Sequence, residues 1–92
     1  MILYGDSSAL LKLYIGEKGS TETAREVAAA EKVATSAVTL VELHAALCGA
    51  LKAGRIAAAD VPQILVRLQR DWNGMLIVPI TAALLQEATA LT

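Results

Sequence analysis

The sequence predicts an α/β sandwich built around a parallel sheet. Three short apolar runs open at Met1, Val33 and Met75, and helical spacing resumes after each of them. Runs this short and this apolar suit strands buried on both faces, as in a sheet reached by crossover helices. With two helical segments between successive runs, the expected order is β-α-α-β-α-α-β-α.

Ninety-two residues make at most one small domain. Hydrophobic residues are 55% of the chain but aromatics only 3%, so the core is aliphatic. The formal net charge is −1, with no cluster of Lys and Arg. That removes the basic face of an electrostatic nucleic-acid binder; contact with nucleic acid would need a compact site or a metal bridge. The one cysteine, Cys48, cannot form an internal disulfide, which suits a reducing compartment. No basic leader and no apolar run of membrane-spanning length is present, so the expected location is cytoplasmic.

The opening run, Met1-Ile-Leu-Tyr-Gly-Asp-Ser-Ser8, reads as a strand that delivers one acid and two hydroxyls to its carboxyl end. Open α/β sheets bind ligands on that edge. A helix is expected over 7–15, with Leu10, Leu13 and Tyr14 on one face. Gly16 and Gly19 interrupt it, and Ser20 is placed to cap a second helix reaching residue 32, with Ala24, Val27 and Ala28 inward. A second strand covers 33–36. The third helix spans 37–53 on a ridge of Leu40, Leu43, Leu47 and Leu51, and Gly54 stops it. Asp60 can cap the next helix, with Pro62 in its first turn. That helix has the clearest apolar stripe: Val61, Ile64, Leu65, Leu68 and Trp72. Asn73-Gly74 is a turn, 75–80 a third strand, and 81–91 a last helix through Leu84, Leu85, Ala88 and Leu91.

Two acids stand out. Asp6 reads either as the N-cap of the first helix or as a functional carboxylate. Ser7 and Ser8 read as helix-start residues or as hydroxyls that orient it. Glu42 closes a Thr39-x-x-Glu pattern, which matches a capping box. With the cap taken earlier, at Thr35 or Ser36, it lies instead in the second turn beside the small residues Ala45, Ala46 and Gly49. Both acids then lie just past strand ends on one sheet edge. Two carboxylates about 4 Å apart repel by roughly 4 kcal/mol at an effective dielectric near 20, so such a pair wants a proton or a cation. Without a cysteine–histidine cluster, oxygen ligands suit Mg²⁺ or Mn²⁺. His44 is expected at the surface, Cys48 in packing and Trp72 as a core anchor. Asp60, Asp71 and Glu87 are given no site role.

The opening Ile2-Leu-Tyr-Gly-Asp-Ser-Ser-Ala-Leu-Leu-Lys-Leu-Tyr14 resembles the start of a PIN domain, in particular the VapC-type toxins of toxin–antitoxin pairs. Val33-Ala-Thr-Ser-Ala-Val-Thr-Leu-Val-Glu-Leu-His-Ala-Ala-Leu47 resembles the family's second motif, in the expected order and separation. The resemblance implies a three-layer α/β/α fold and a metal-dependent endoribonuclease. Asp6 and Glu42 would help hold Mg²⁺ or Mn²⁺, with Ser7 and Ser36 supporting ligands or substrate. It further implies a homodimer silenced by a VapB-type antitoxin. The family's third and fourth acids belong to a segment beyond Thr92. The complete fold is therefore expected to continue past that residue, and activity of the 92-residue form to be reduced or lost. Gly5 stands where the family usually has an apolar side chain, which puts the packing beneath Asp6 in question. The other readings are a non-catalytic interaction module, or a haloacid-dehalogenase-like phosphotransferase with Asp6 as nucleophile. The latter family expects a second acid where this chain has Ser8.

Overall fold

The computed structural model describes residues 1–79. The expected strand end at residue 80 and the last helix over 81–91 lie outside the described residues. Strand β1 spans Ile2–Tyr4, β2 Lys32–Ser36 and β3 Leu76–Val78. They form one parallel sheet in the order β1-β2-β3. Helices α1 (Ser7–Leu11) and α2 (Ser20–Ala29) connect β1 to β2. Helix α3 (Thr39–Lys52), a 3-10 turn at Ala58–Asp60 and α4 (Val61–Asn73) connect β2 to β3.

This strand order explains the layering. Two successive right-handed crossovers moving in one direction put all their helices on the same face of the sheet. The register places Leu3, Val33, Thr35 and Ile77 on that face. Val33 packs against the core of Leu10, Tyr14, Ile15, Leu43, Leu47, Ala50, Ile64 and Leu68. The opposite face carries Ile2 and Tyr4, 59% and 58% exposed, with Leu76 and Val78, 42% and 46% exposed. Of the layers in an α/β/α fold, the described residues supply the sheet and the helices on one face.

Most element boundaries follow the sequence, and the departures have local causes. Helix α1 stops at Leu11 rather than residue 15 because the chain tightens: the Leu13 and Tyr14 N–H groups donate to carbonyls three residues back. Ser20 does not cap α2. Gly19 does, at φ 91°, while the Ser20 hydroxyl donates to the Ile15 carbonyl (3.0 Å) and accepts from the Glu17 N–H (3.0 Å). Ser20 thus fastens the loop. Asp60 occupies the cap position of α4 but makes no side-chain cap bond. Pro62 sits in the first turn as expected, and Gly54 ends α3 at φ 75°. Cys48 is exposed rather than packed, and Leu51 is 38% exposed, so the inner ridge of α3 is Thr39, Leu43, Leu47 and Ala50.

Candidate active site

The site is built at the carboxyl ends of β1 and β2. The Gly5 N–H donates to the Ala34 carbonyl (2.9 Å), carrying the ladder one residue past β1. Asp6 follows with extended backbone and begins α1, its Oδ1 accepting the Ala9 N–H at 2.8 Å. The N-cap reading of Asp6 is therefore realised. The side chain is nonetheless exposed, and its Oδ2 makes no hydrogen bond among the described residues. Capping uses one oxygen and leaves the other free.

Packing beneath Asp6 is supplied by Leu10. Gly5 is buried, and a Cβ there would stand 2.8 Å from Leu10 Cδ2 and 3.0 Å from Leu10 Cγ. The leucine side chain fills the space a residue-5 side chain would take.

Glu42 arrives on α3, which packs against α1. The capping box expected from Thr39-x-x-Glu42 does not form. Val38 is the N-cap, no side chain caps the helix, and the Glu42 N–H donates to the Val38 carbonyl (3.1 Å). Thr39 is already the first helical residue and turns inward, 1% exposed. Glu42 is left exposed, with no hydrogen bond or ion pair among the described residues.

A buried hydroxyl pair lies between the two acids along the chain. Thr35, at 0% exposure on β2, donates to the Gly5 carbonyl at 2.8 Å. Its oxygen is also 2.8 Å from the Thr39 hydroxyl. A carbonyl only accepts, so the Thr35 proton is committed to Gly5 and Thr39 donates to Thr35. One chain of hydrogen bonds thus joins the residue before Asp6 to the first residue of the helix carrying Glu42. Sequence reading missed it because Thr39 matched a cap motif; the only signal was a second threonine four residues earlier.

The supporting hydroxyls are less engaged. Ser7 is half-buried at the start of α1. Ser36 is half-buried at the end of β2, its Oγ at 3.4 Å from the Val38 N–H. His44 is exposed as expected, its Nδ1 at 2.7 Å from the Leu40 carbonyl. Trp72 is half-buried and lies outside the buried cluster.

The two acids fit a hard divalent cation. Asp6 Oδ2 and the Glu42 carboxylate are oxygen donors open to solvent, the ligand type that Mg²⁺ and Mn²⁺ prefer. The ion pairs among the described residues engage Glu31, Glu17 and Asp71, not these two. No group of three or more His, Cys, Asp or Glu placed to hold a metal occurs among the described residues.

Elsewhere, a cleft of about 450 Å³ opens between α2 and α4, bounded by Val27, Lys32, Arg67, Arg70 and Met75. Lys32 and Met75 stand at the amino ends of β2 and β3, so this cleft lies at the sheet edge opposite Asp6. The ligand edge of a parallel sheet is the other one, at the carboxyl ends of its strands. Beside it, the buried Tyr14 donates its hydroxyl to Asp71 Oδ2 (2.7 Å), under the Arg67 guanidinium 5.4 Å from the ring centroid. Burial, then the bond to Asp71 and its charge, raise the tyrosine pKa well above its usual value against the opposing pull of Arg67 and Arg70.

Parallel strands joined by crossover helices define an α/β domain, with Asp6 at the carboxyl edge of its sheet. The chain belongs to the PIN domain family, whose model matches residues 3–92. No curated protein matches the chain. The PIN domain is a nuclease-type fold, and its members are commonly metal-dependent nucleases. No helix among the described residues is long and apolar enough to cross a membrane.

Proposed function

We propose that this chain is a VapC-type endoribonuclease that hydrolyses RNA phosphodiesters with Mg²⁺ or Mn²⁺ held by Asp6 and Glu42. The observation that carries the proposal is a pair of exposed carboxylates, without a cationic partner among the described residues, at the start of α1 and on α3, helices that pack together on a PIN-family sheet. When bound, the cation lowers the pKa of a coordinated water and offsets charge on the scissile phosphate.

The protein's own residues prepare that edge. The Ala9 N–H holds Asp6 Oδ1 at 2.8 Å and leaves Oδ2 to serve as a ligand. Glu42, exposed on the first turn of α3, supplies the second carboxylate. The Ser7 and Ser36 hydroxyls stand at the two strand ends, where each can donate to a ligand carboxylate or to a phosphate oxygen. With a net charge of −1, RNA affinity depends on this compact site rather than on a basic surface.

The same reading makes the chain a homodimer in the cytoplasm, silenced by a VapB-type antitoxin. Incubating end-labelled RNA with the protein tests the activity. Cleavage should require Mg²⁺ or Mn²⁺, stop with chelator and fall sharply in Asp6→Asn. Metal-independent cleavage, or cleavage retained in that variant, would refute the assignment. Absence of cleavage, both here and in a longer chain, would favour the non-catalytic interaction module.

A further inference from the structure

We propose that Thr35 and Thr39 are positioning residues that set the spacing and orientation of Asp6 and Glu42 through one buried chain of hydrogen bonds. The inference rests on the metal-site reading above and assigns work to two residues outside it. Thr39 donates to Thr35 (2.8 Å), and Thr35 donates to the Gly5 carbonyl (2.8 Å). That carbonyl belongs to the peptide group whose N–H is that of Asp6. Thr39 begins α3, and Glu42 follows on the same first turn. The end of β1 and the start of α3 are therefore coupled through two side chains at 0% and 1% exposure.

The chemistry of the pair favours positioning over packing alone. Valine would fill either site with nearly the same shape and no buried polar group. Threonine instead brings a hydroxyl into the core, where an unmet partner is costly, and both hydroxyls are met here. The bonds also have direction. Because Thr35 must donate to Gly5, its lone pair is what receives Thr39, and a rotation of α3 breaks the chain. Neither hydroxyl reaches solvent, so neither serves as a ligand. Each acts through the backbone it holds.

Mn²⁺ titration and amide NMR on the full chain test the pair. Thr39→Val should weaken Mn²⁺ binding about tenfold, as loss of a partner that orients a metal ligand commonly does, and Thr39→Ser should stay within about twofold of wild type. The Asp6 amide resonance should move in Thr39→Val and return in Thr39→Ser, with or without metal. Ile64→Val, a core change remote from the threonines, should lower the melting temperature yet leave Mn²⁺ affinity and the Asp6 amide in place. If Thr39→Val does not fold, the double variant Thr35→Val/Thr39→Val, which strands neither hydroxyl, takes the same measurements with the same expected loss. A folded variant that lacks the Thr39 hydroxyl but keeps wild-type Mn²⁺ affinity, or an unmoved Asp6 amide, overturns the proposal by itself. If Asp6→Asn and Glu42→Gln also bind Mn²⁺ as wild type does, the metal-site reading falls, and this proposal with it.

Discussion

Leu10 occupies the space that a side chain at Gly5 would need, with Cδ2 only 2.8 Å from where that Cβ would stand. The two residues are one packing decision. Residue 5 is glycine, and Leu10 of α1 supplies the volume instead.

Gly5→Ala should therefore destabilise the fold, by about 1–3 kcal/mol as expected for overpacking, although its backbone does not lie at positive φ. Pairing it with Leu10→Val should recover part of that loss. Urea denaturation of the three variants checks this; additive losses in the double variant would contradict the shared space.

The cap and ligand roles of Asp6 are separable. Asparagine also caps helices well, so Asp6→Asn should keep stability within about 0.5 kcal/mol of wild type. Asp6→Ala loses the bond to the Ala9 N–H and should cost about 1 kcal/mol. Thermal melts decide; equal losses would mean that the bond contributes nothing.

Tyr14 and Asp71 make the fold sensitive to alkali. The folded-state pKa of Tyr14 is raised, chiefly by burial and then by its bond to Asp71. Its contribution is thus fully present below the ordinary tyrosine value near 10 and is lost as pH rises above it, because the unfolded chain releases a proton that the native chain keeps. Unfolding free energy should fall by about 1.4 kcal/mol per pH unit there from this group, and Tyr14→Phe should remove that component. At neutral pH the same substitution should cost about 2 kcal/mol, the scale of a hydrogen bond to a charged partner. Parallel slopes for wild type and Tyr14→Phe between pH 10 and 11, expected pH values for the assay, would contradict the pairing.

How much of this was legible in the sequence follows from the range of each interaction. Strands β1, β2 and β3 announced themselves through local apolar runs, and α4 through the spacing of Ile64 and Leu68. Asp6 and Glu42 were visible as acids placed just past strand ends. What Thr39 does was not, because a capping box and a buried threonine share one local pattern, and only the partner Thr35 separates them. Ser20 misled in the same way, looking like a cap while fastening the loop to Ile15 and Glu17. Tyr14 and Asp71 lie 57 positions apart, and no local pattern pairs them. Leu51 and Cys48 are apolar but lie off the buried ridge of Leu43, Leu47 and Ala50 on α3.

In the proposed site, Asp6 and Glu42 together hold a divalent cation. Isothermal titration of Mn²⁺ into wild type, Asp6→Asn and Glu42→Gln tests it most directly, since both substitutions remove charge with little change of shape. Saturable binding by wild type, weakened at least about tenfold in each variant, is the predicted result. Unchanged binding in both variants would contradict it.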